Sequence, residues 1–256
     1  VKSRFQPAGS RTNDREFIVK LLIQFPTLAR PEKFLKCLDK YVDMASTRHQ
    51  LFFNVNCDAD DLSMNSSGTK RMIADIIYGY HYTDGQINFD KNTEKISAIN
   101  SHIDDCYFDF DIVICASDDM IPLEHGWDDE IASAMTEHFP DLDGCTHFND
   151  GYTHNKLITF SILGRKLYEH FGYVYHPDYK SLYCDNEFTQ EVIRLGKVAY
   201  INKVIIRHEH YGEKGNSNTG DVDFAAQKTL HYAGRDGQVF RSREERGFPR
   251  ERITND

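Results

Sequence analysis

The first part of the chain alternates between continuous apolar runs and segments with helical spacing. Residues 17–25 form a mostly continuous apolar run of strand length, typical of a strand covered on both faces. Pro31 begins a segment in which Leu38 and Tyr41 share one helical face, and residues 51–56 form a second strand-like run. This order predicts a βαβ unit, which favours parallel strands and a right-handed crossover. Helices should therefore cover the sheet.

The same alternation continues through most of the chain and predicts an α/β fold. Further helices are expected at residues 67–78, 93–103, 164–171 and 185–195 and from Trp127 onward, and further strands at 87–89, 111–116, 144–149, 157–162 and 199–207. Gly172 and Gly196 are expected to end two of the helices, because glycine readily adopts the left-handed conformation of a helix C-terminus.

The ends of the chain differ from its middle. Residues 1–15 are polar and predict a flexible segment, and residues 16–211 fit one α/β domain. Residues 212–220 contain almost no apolar side chain, which predicts a mobile loop, and a short helix near 222–232 and a basic tail complete a C-terminal segment of 212–256.

Composition narrows the class of protein. The 30 Lys and Arg residues are outnumbered by 40 Asp and Glu, and the net charge of −10 disfavours polymeric nucleic acid as a partner. No apolar run is long enough for a transmembrane helix, and the first residues lack the apolar segment of a signal peptide. Six singly spaced cysteines suggest reduced thiols. We therefore expect a cytoplasmic protein whose membrane association, if any, is peripheral.

An acidic triplet follows the predicted strand at 111–116. Ser117, Asp118 and Asp119 should lie at the carboxyl end of that strand, where open α/β sheets bind ligands. Carboxylate oxygens are the preferred ligands of Mg²⁺ and Mn²⁺, which usually share them with substrate phosphates. The triplet is therefore a candidate metal site; the alternative is a solvated acidic turn.

Two histidines follow the last predicted strand. His208 and His210 are two residues apart, so their side chains should point to the same side of the sheet. A neutral imidazole could complete a metal shell begun by Asp119, and mixed nitrogen and oxygen ligands suit Mn²⁺. The sequence does not choose between the two, and both could instead be surface histidines.

Asp185 precedes an amphipathic helix and is a candidate general base. Asp is a favoured N-cap, and a carboxylate at the start of a helix is fixed in position and kept ionised by the helix dipole. Those properties suit a base that accepts a proton from a hydroxyl group at neutral pH. Glu187 is the nearby alternative.

Other polar residues after the strands are candidate nucleotide contacts. Acidic residues after residues 51–56 could bind a nucleobase or ribose. Lys95 and Asn100 could bind a diphosphate or ribose. Arg30 could either contact a ligand or be a solvated cation. The acidic residues are Asp58, Asp60 and Asp61. The sequence contains neither a GxGxxG nor a GxxxxGK[ST] motif, so dinucleotide-binding and P-loop folds lose their main support.

In their order along residues 17–211, these features resemble a GT-A-fold glycosyltransferase of the family 2-like kind. Ser117-Asp118-Asp119 resembles the DXD motif, and Cys184-Asp185 resembles the motif that supplies the base. Ser117 replaces the usual first acid, and Cys184 replaces the Glu that often precedes the base. The resemblance implies a three-layer α/β/α, Rossmann-like domain with a mostly parallel central sheet.

The resemblance also implies a function: metal-dependent, inverting transfer of a sugar from a nucleoside-diphosphate donor, UDP- or GDP-sugar, to a hydroxyl acceptor such as a glycan. Mn²⁺ or Mg²⁺ would bridge the donor phosphates through Asp119, with Asp185 as base. It implies the following further contacts: Thr27, Arg30, Asp58, Asp60 and Lys95 with the nucleotide, Asp118 with the ribose, His208 or His210 with the metal, and Trp127 and Asp128 with the acceptor. The alternatives are a nucleotidyltransferase and a non-catalytic nucleotide- or sugar-binding module.

Overall fold

The computed structural model describes residues 18–91, 94–209 and 224–250. The strands are β1 (Lys20–Thr27), β2 (Gln50–Asp58), β3 (Thr83–Asp90), β4 (Ile112–Cys115), β5 (Met120–Pro122), β6 (Cys145–Phe148), β7 (Ile162–Gly164), β8 (Val198–Ile201) and β9 (Ile206–His208). The helices are α1 (Pro31–Asp43), α2 (Ser67–Ile77), α3 (Lys95–Asn100), α4 (Trp127–His138), α5 (Arg165–Phe171), α6 (Cys184–Arg194), α7 (Phe224–His231) and α8 (Ala233–Glu245). The expected flexible segment at 1–15, the loop at 212–220 and His210 lie outside the described residues.

A mostly parallel sheet forms the centre of the described chain. Its seven strands have the order β3-β2-β1-β4-β7-β6-β8. Strands β1, β2, β3 and β4 are parallel, as are β6 and β8, whereas β7 runs antiparallel between β4 and β6. The predicted βαβ unit is confirmed, because β1 and β2 pair in parallel on either side of α1.

Two apolar clusters lie on opposite faces of this sheet. Side chains alternate along a strand, so Leu21 and Ile23 of β1 belong to one cluster and Leu22 to the other. Helices α1, α2 and α4 contribute side chains to the first cluster, and α3, α5 and α6 to the second. The domain therefore has three layers, α/β/α, as predicted.

The predicted strand at 199–207 is divided in two. Strand β8 ends at Ile201 in the main sheet, and β9 begins at Ile206 and pairs antiparallel with β5 in a separate sheet. Between them, Asn202 accepts a hydrogen bond from the Asn149 side chain at 2.9 Å, and Ile205 is fully buried. This contact and this burial redirect the chain from one sheet to the other.

Two other elements differ from the sequence-based expectation. The strand expected at 157–162 begins only at Ile162, because the Ile158 backbone N–H donates to the Thr189 hydroxyl at 3.0 Å instead of to a neighbouring strand. Much of the expected basic tail forms α8, which packs against α6. In the described residues, no helix has the length and apolar character needed to cross a membrane.

Candidate active site

The small sheet brings the acidic triplet and a histidine together. Strand β5 follows directly after Asp119, and its first residue, Met120, pairs with His208. The Asp119 carbonyl also accepts a hydrogen bond from the Glu209 backbone N–H at 2.7 Å. As a result, Nε2 of His208 lies 3.8 Å from Oδ2 of Asp119. A carboxylate and an imidazole thus face each other beyond the end of β4.

Asp119 is held in its ionised form. Although burial opposes ionisation, His208 and the Ser117 hydroxyl, which donates to Oδ1, hold the pKa of the Asp119 carboxyl well below its usual range. Lys95 adds to this effect from the start of α3. The side chains of Asp119 and His208 are 27% and 15% exposed, so both retain access to solvent. The pair offers one oxygen and one nitrogen ligand, a donor set that fits Mn²⁺.

Asp185 lies in the same electrostatic neighbourhood. It interacts with both Lys95 and His208, so Lys95 lies within electrostatic range of the Asp119 and Asp185 carboxylates. Burial raises the pKa of Asp185, and Lys95 and backbone N–H groups oppose that rise. Asp185 is the second residue of α6 and not its N-cap, which is Tyr183. The helix N-terminus still supports the carboxylate, because Oδ1 accepts from the Asn186 N–H at 3.0 Å.

Asp118 is buried beneath two cations. It is 1% exposed, and its Oδ1 lies 3.0 Å from Nη2 of Arg30 and 3.6 Å from Nζ of Lys33. Burial raises the pKa of Asp118, whereas Arg30 and Lys33 lower it. Lys33 is not among the residues that the sequence pattern singles out. It lies three residues after Arg30 in the first turn of α1, and this spacing was the signal that the two cations would be neighbours. The two cations give this side of the site a positive charge.

Thr27 and the acidic loop after β2 border the site. Thr27 ends β1, is 7% exposed, and its hydroxyl makes no hydrogen bond within the described structure. Asp61 accepts a hydrogen bond from the Ala29 N–H at 2.5 Å and so connects the loops that follow β1 and β2. Asp58 forms an ion pair with Lys228 of α7 at 2.8 Å, and Asp60 is exposed.

Two other candidate residues have structural partners. The Asn100 amide binds the backbone of Val174 and Tyr175, with its oxygen accepting and its nitrogen donating. The Glu187 carboxylate binds Arg243 and the Tyr179 hydroxyl. Direct contact of Asn100 or Glu187 with a substrate would require these bonds to be replaced.

Trp127 and Asp128 do not present their side chains at the surface. Both are fully buried; the Trp127 indole donates to the Tyr41 carbonyl at 3.0 Å, and Asp128 accepts from the Ser46 N–H and hydroxyl, each at 2.7 Å. This burial argues against the expected contact with an acceptor. Their position after the acidic triplet suggested the role, but their apolar and hydrogen-bonding partners come from α1 and the loop after it.

A second group of possible metal ligands lies elsewhere. Within the described residues, His49, Asp128 and Asp129 are the one group of at least three such side chains whose ligand atoms are close enough together to hold an ion. Asp129 is paired with Arg48 at 2.5 Å and with His49 at 3.0 Å. His49 precedes β2, at the end of the sheet opposite Asp119. This group is therefore separate from the candidate active site.

Comparison with known proteins supports the fold. No protein-family model matches the sequence, and no curated protein matches it. The mannosyltransferase PcManGT from Pyrobaculum calidifontis, solved in complex with GDP-Man and Mn²⁺, is structurally similar, with a TM-score of 0.58 and 11% identity over 77% of this chain and 59% of that chain.

Two structures of TarS from S. aureus are also similar. One has a TM-score of 0.54 and 12% identity over 74% of this chain and 36% of that chain. The other, of residues 1–349 in complex with UDP, has a TM-score of 0.50 and 13% identity over 73% of this chain and 60% of that chain. The chain therefore spans less than two thirds of the length of each of these proteins. Together with the sheet order and the three layers, these similarities show that the chain has a GT-A-like α/β fold, similar to that of this mannosyltransferase and of TarS.

Proposed function

We propose that the protein is a metal-dependent, inverting glycosyltransferase that uses a nucleoside-diphosphate sugar as donor and a hydroxyl group as acceptor. One observation carries the proposal: the Asp119 carboxylate lies 3.8 Å from the His208 imidazole. Lys95 lies within electrostatic range of both Asp119 and Asp185, and Asp185 lies within electrostatic range of His208. Two carboxylates, an imidazole and an ammonium group can together supply the metal ligands, the general base and the positive charge that such a transfer uses.

The metal would be held by Asp119 and His208. Their carboxylate and imidazole suit Mn²⁺ or Mg²⁺, with the nitrogen ligand favouring Mn²⁺. His210, the other candidate ligand, lies outside the described residues. A divalent ion at this position would supply positive charge to the diphosphate that leaves the sugar. The mannosyltransferase with a similar fold was solved with Mn²⁺, which supports this assignment.

Asp185 is the proposed general base. Its carboxylate would accept the proton of the acceptor hydroxyl while the hydroxyl oxygen bonds to the anomeric carbon of the sugar. The bond between that carbon and the diphosphate oxygen breaks, and attack from the opposite side inverts the configuration. Lys95 lies near both carboxylates and would help to balance the charge of the leaving diphosphate. Glu187 is not assigned this role, because Arg243 and Tyr179 occupy its carboxylate.

The donor would lie along the ends of β1, β2 and β4. Thr27, whose buried hydroxyl has no hydrogen-bonding partner in the described structure, and Arg30 would contact the nucleotide, and Asp58 and Asp60 would contact the base or ribose. Asp118 lies under Arg30 and Lys33, so we assign it to orienting these cations in addition to the ribose contact that the motif implies. UDP and GDP are the first nucleotides to test, since the similar structures contain UDP or GDP-Man.

Calorimetric titration of the full chain with UDP and GDP tests the donor site. We expect one of them to bind in the presence of Mn²⁺ and to bind at least about tenfold more weakly in EDTA or in an Asp119→Asn variant, because a lost charge interaction of about 1.4 kcal/mol changes affinity tenfold. Asp141→Asn, which removes an exposed carboxylate elsewhere, is the matched control. If the wild-type protein binds neither UDP nor GDP in the presence of Mn²⁺ or of Mg²⁺, the proposal is overturned.

Asp185→Asn separates an enzyme from a binding module. Asparagine keeps the shape of the side chain but cannot accept the proton, so donor binding should persist while release of nucleoside diphosphate from a donor sugar falls by about 10²- to 10⁴-fold. The measurement is turnover of UDP- and GDP-sugars, with water or a glycan as acceptor. Equal turnover by the wild type and the variant would exclude Asp185 as the base.

A further inference from the structure

A buried arginine of the C-terminal helix is bonded to the first turn of α6. Arg243 of α8 is 1% exposed, and full burial of an arginine is rare unless the charge is paired. Its Nε and Nη2 donate to Oε2 and Oε1 of Glu187 at 2.8 and 2.9 Å, a bidentate arrangement that fixes both groups. Glu187 is 5% exposed and lies two residues after Asp185. Helix α8 is therefore anchored immediately after the proposed base.

A second anchor from α8 holds the chain immediately before α6. The Asp236 carboxylate is fully buried, and its Oδ2 accepts hydrogen bonds from the backbone N–H groups of Ser181 and Leu182 at 2.7 and 2.9 Å. The Lys180 N–H lies 3.2 Å from both oxygens. Three consecutive N–H groups that converge on one carboxylate fix the local backbone strongly, because the bonds to an anion are charge-assisted.

Tyr183 connects these two anchors in a strained conformation. Its φ of +64° lies in the left-handed region, which a bulky residue adopts only where its surroundings enforce it. Its ring packs against α8: the centroid lies 5.9 Å from that of Phe240, and a Cβ built on Gly237 would lie 3.4 Å from Cε2 of Tyr183. Strained residues of this kind concentrate at functional sites.

We propose that α8 positions the Asp185 carboxylate, with Arg243 and Asp236 acting as positioning residues on either side of it. This inference rests on the proposed function, because it assumes that Asp185 is the base. The segment from Lys180 to Glu187 is held by α8 before and after Asp185 and through Tyr183 between them. The orientation of α6 relative to the metal ligands thus depends on a helix outside the region that carries the recognised motifs.

The test compares Arg243→Met with Arg241→Met, which removes an exposed arginine from the same helix. Arg243→Met should lower kcat for release of nucleoside diphosphate from a UDP- or GDP-sugar by about 10- to 100-fold, since a displacement of about 1 Å can cost that much. The Kd of the free nucleoside diphosphate should change by less than about twofold, because its ligands are on other elements. Hydrogen exchange over residues 180–190 should become faster. Arg241→Met should behave like the wild type in all three measurements.

A double variant keeps the test informative if Arg243→Met does not fold. Replacing both Arg243 and Glu187 by Met removes both charges of the buried pair together, which proteins often tolerate. Asp178, which Arg243 also contacts at 3.3 Å, has a half-exposed side chain that water can solvate. The inference predicts that the double variant folds and binds nucleoside diphosphate but remains low in kcat. A double variant with wild-type kcat would overturn it, because the pair would then serve stability alone.

Failure of the inference can be distinguished from failure of the proposed function. If the wild type binds UDP or GDP with Mn²⁺ and turns over a donor, but Arg243→Met has unchanged kcat and unchanged exchange over residues 180–190, the positioning role is wrong and the function stands. If the wild type binds neither nucleotide, the function fails and the positioning of a base fails with it.

Discussion

At the scale of single residues, buried carboxylates connect loops that are distant in the sequence. Asp61 illustrates this: besides the Ala29 N–H, it accepts hydrogen bonds from the Ser63 hydroxyl at 2.6 Å and from the Ser63 and Met64 N–H groups, each at 3.1 Å. Burial opposes its ionisation, but these bonds hold the pKa of Asp61 below its usual value. The charge of Asp61 therefore stabilises the two loops that border the proposed nucleotide site.

Asp61→Asn should lower the free energy of unfolding by about 1–3 kcal/mol at neutral pH, the usual cost of losing hydrogen bonds to a buried charge. Because the pKa of Asp61 is lower in the folded state, its stabilising effect is present above the pKa of the unfolded state, about 3.9, and is lost as the pH falls through the folded value. Urea unfolding at neutral pH and below about pH 3 should show the difference shrinking in acid. The control is Asp60→Asn, at an exposed position. If Asp61→Asn lowers the free energy of unfolding by the same amount at both pH values, the prediction is contradicted.

At the scale of elements, short strands decide the geometry of the site. Strands β5 and β9 have three residues each, yet their pairing places His208 beside Asp119. Strand β7 also has three residues and is the antiparallel strand that joins β4 to β6. Its Gly164 donates to the Gly144 carbonyl at 2.9 Å and passes close to the Leu142 backbone. A glycine allows this approach because it has no Cβ.

Gly164→Ala should therefore destabilise the fold. The new Cβ would overlap the carbonyl group of Leu142, and overpacking against backbone costs about 1–3 kcal/mol. Thermal or urea unfolding measures the loss. Gly68→Ala is the matched control, since no heavy atom lies within 4 Å of a Cβ built there; alanine in α2 should be neutral or stabilising by up to about 1 kcal/mol. Equal effects of the two substitutions would show that the backbone near Leu142 can move freely.

At the scale of the whole molecule, a negative protein places three cations beside the acidic residues of its proposed site. The net charge is −10, but Arg30, Lys33 and Lys95 lie around the ends of β1, β4 and the start of α3. A small anion such as a diphosphate interacts mainly with these nearest cations. A long polyanion would also lie over the rest of the surface of a protein in which acidic residues outnumber Lys and Arg. This surface would repel the polyanion and release few of its condensed counterions.

We therefore expect nucleoside diphosphates to bind and nucleic-acid polymers not to bind. Fluorescence anisotropy with labelled single-stranded and duplex oligonucleotides at near-physiological salt should show no saturable change, whereas calorimetry with UDP or GDP and Mn²⁺ should. Saturable oligonucleotide binding that weakens steeply with salt would contradict this expectation, because it would reveal a continuous basic surface.

Much of the fold could be predicted from the sequence because it depends on local patterns. The apolar runs predicted β1 and β2, Pro31 marked the start of α1, and Gly172 ends α5 with a φ of +75°. Strand β5 was missed, since three residues are too few to show a period, and α8 was missed because its sequence is largely polar. The antiparallel direction of β7 likewise depends on contacts with other strands.

The identity and order of the chemical groups could be read from the sequence alone: the acidic triplet, the late histidines, Lys95 and Asp185. The α/β class could be predicted in the same way, because the period of apolar positions distinguishes strands from helices. Which of these groups meet depends on the tertiary structure. In the folded chain, Asp119 lies beside His208, and Glu187 is bonded to Arg243. Trp127 and Asp128 are buried in the interior. These outcomes depend on long-range packing and desolvation, which act between residues far apart in the chain and leave no local pattern.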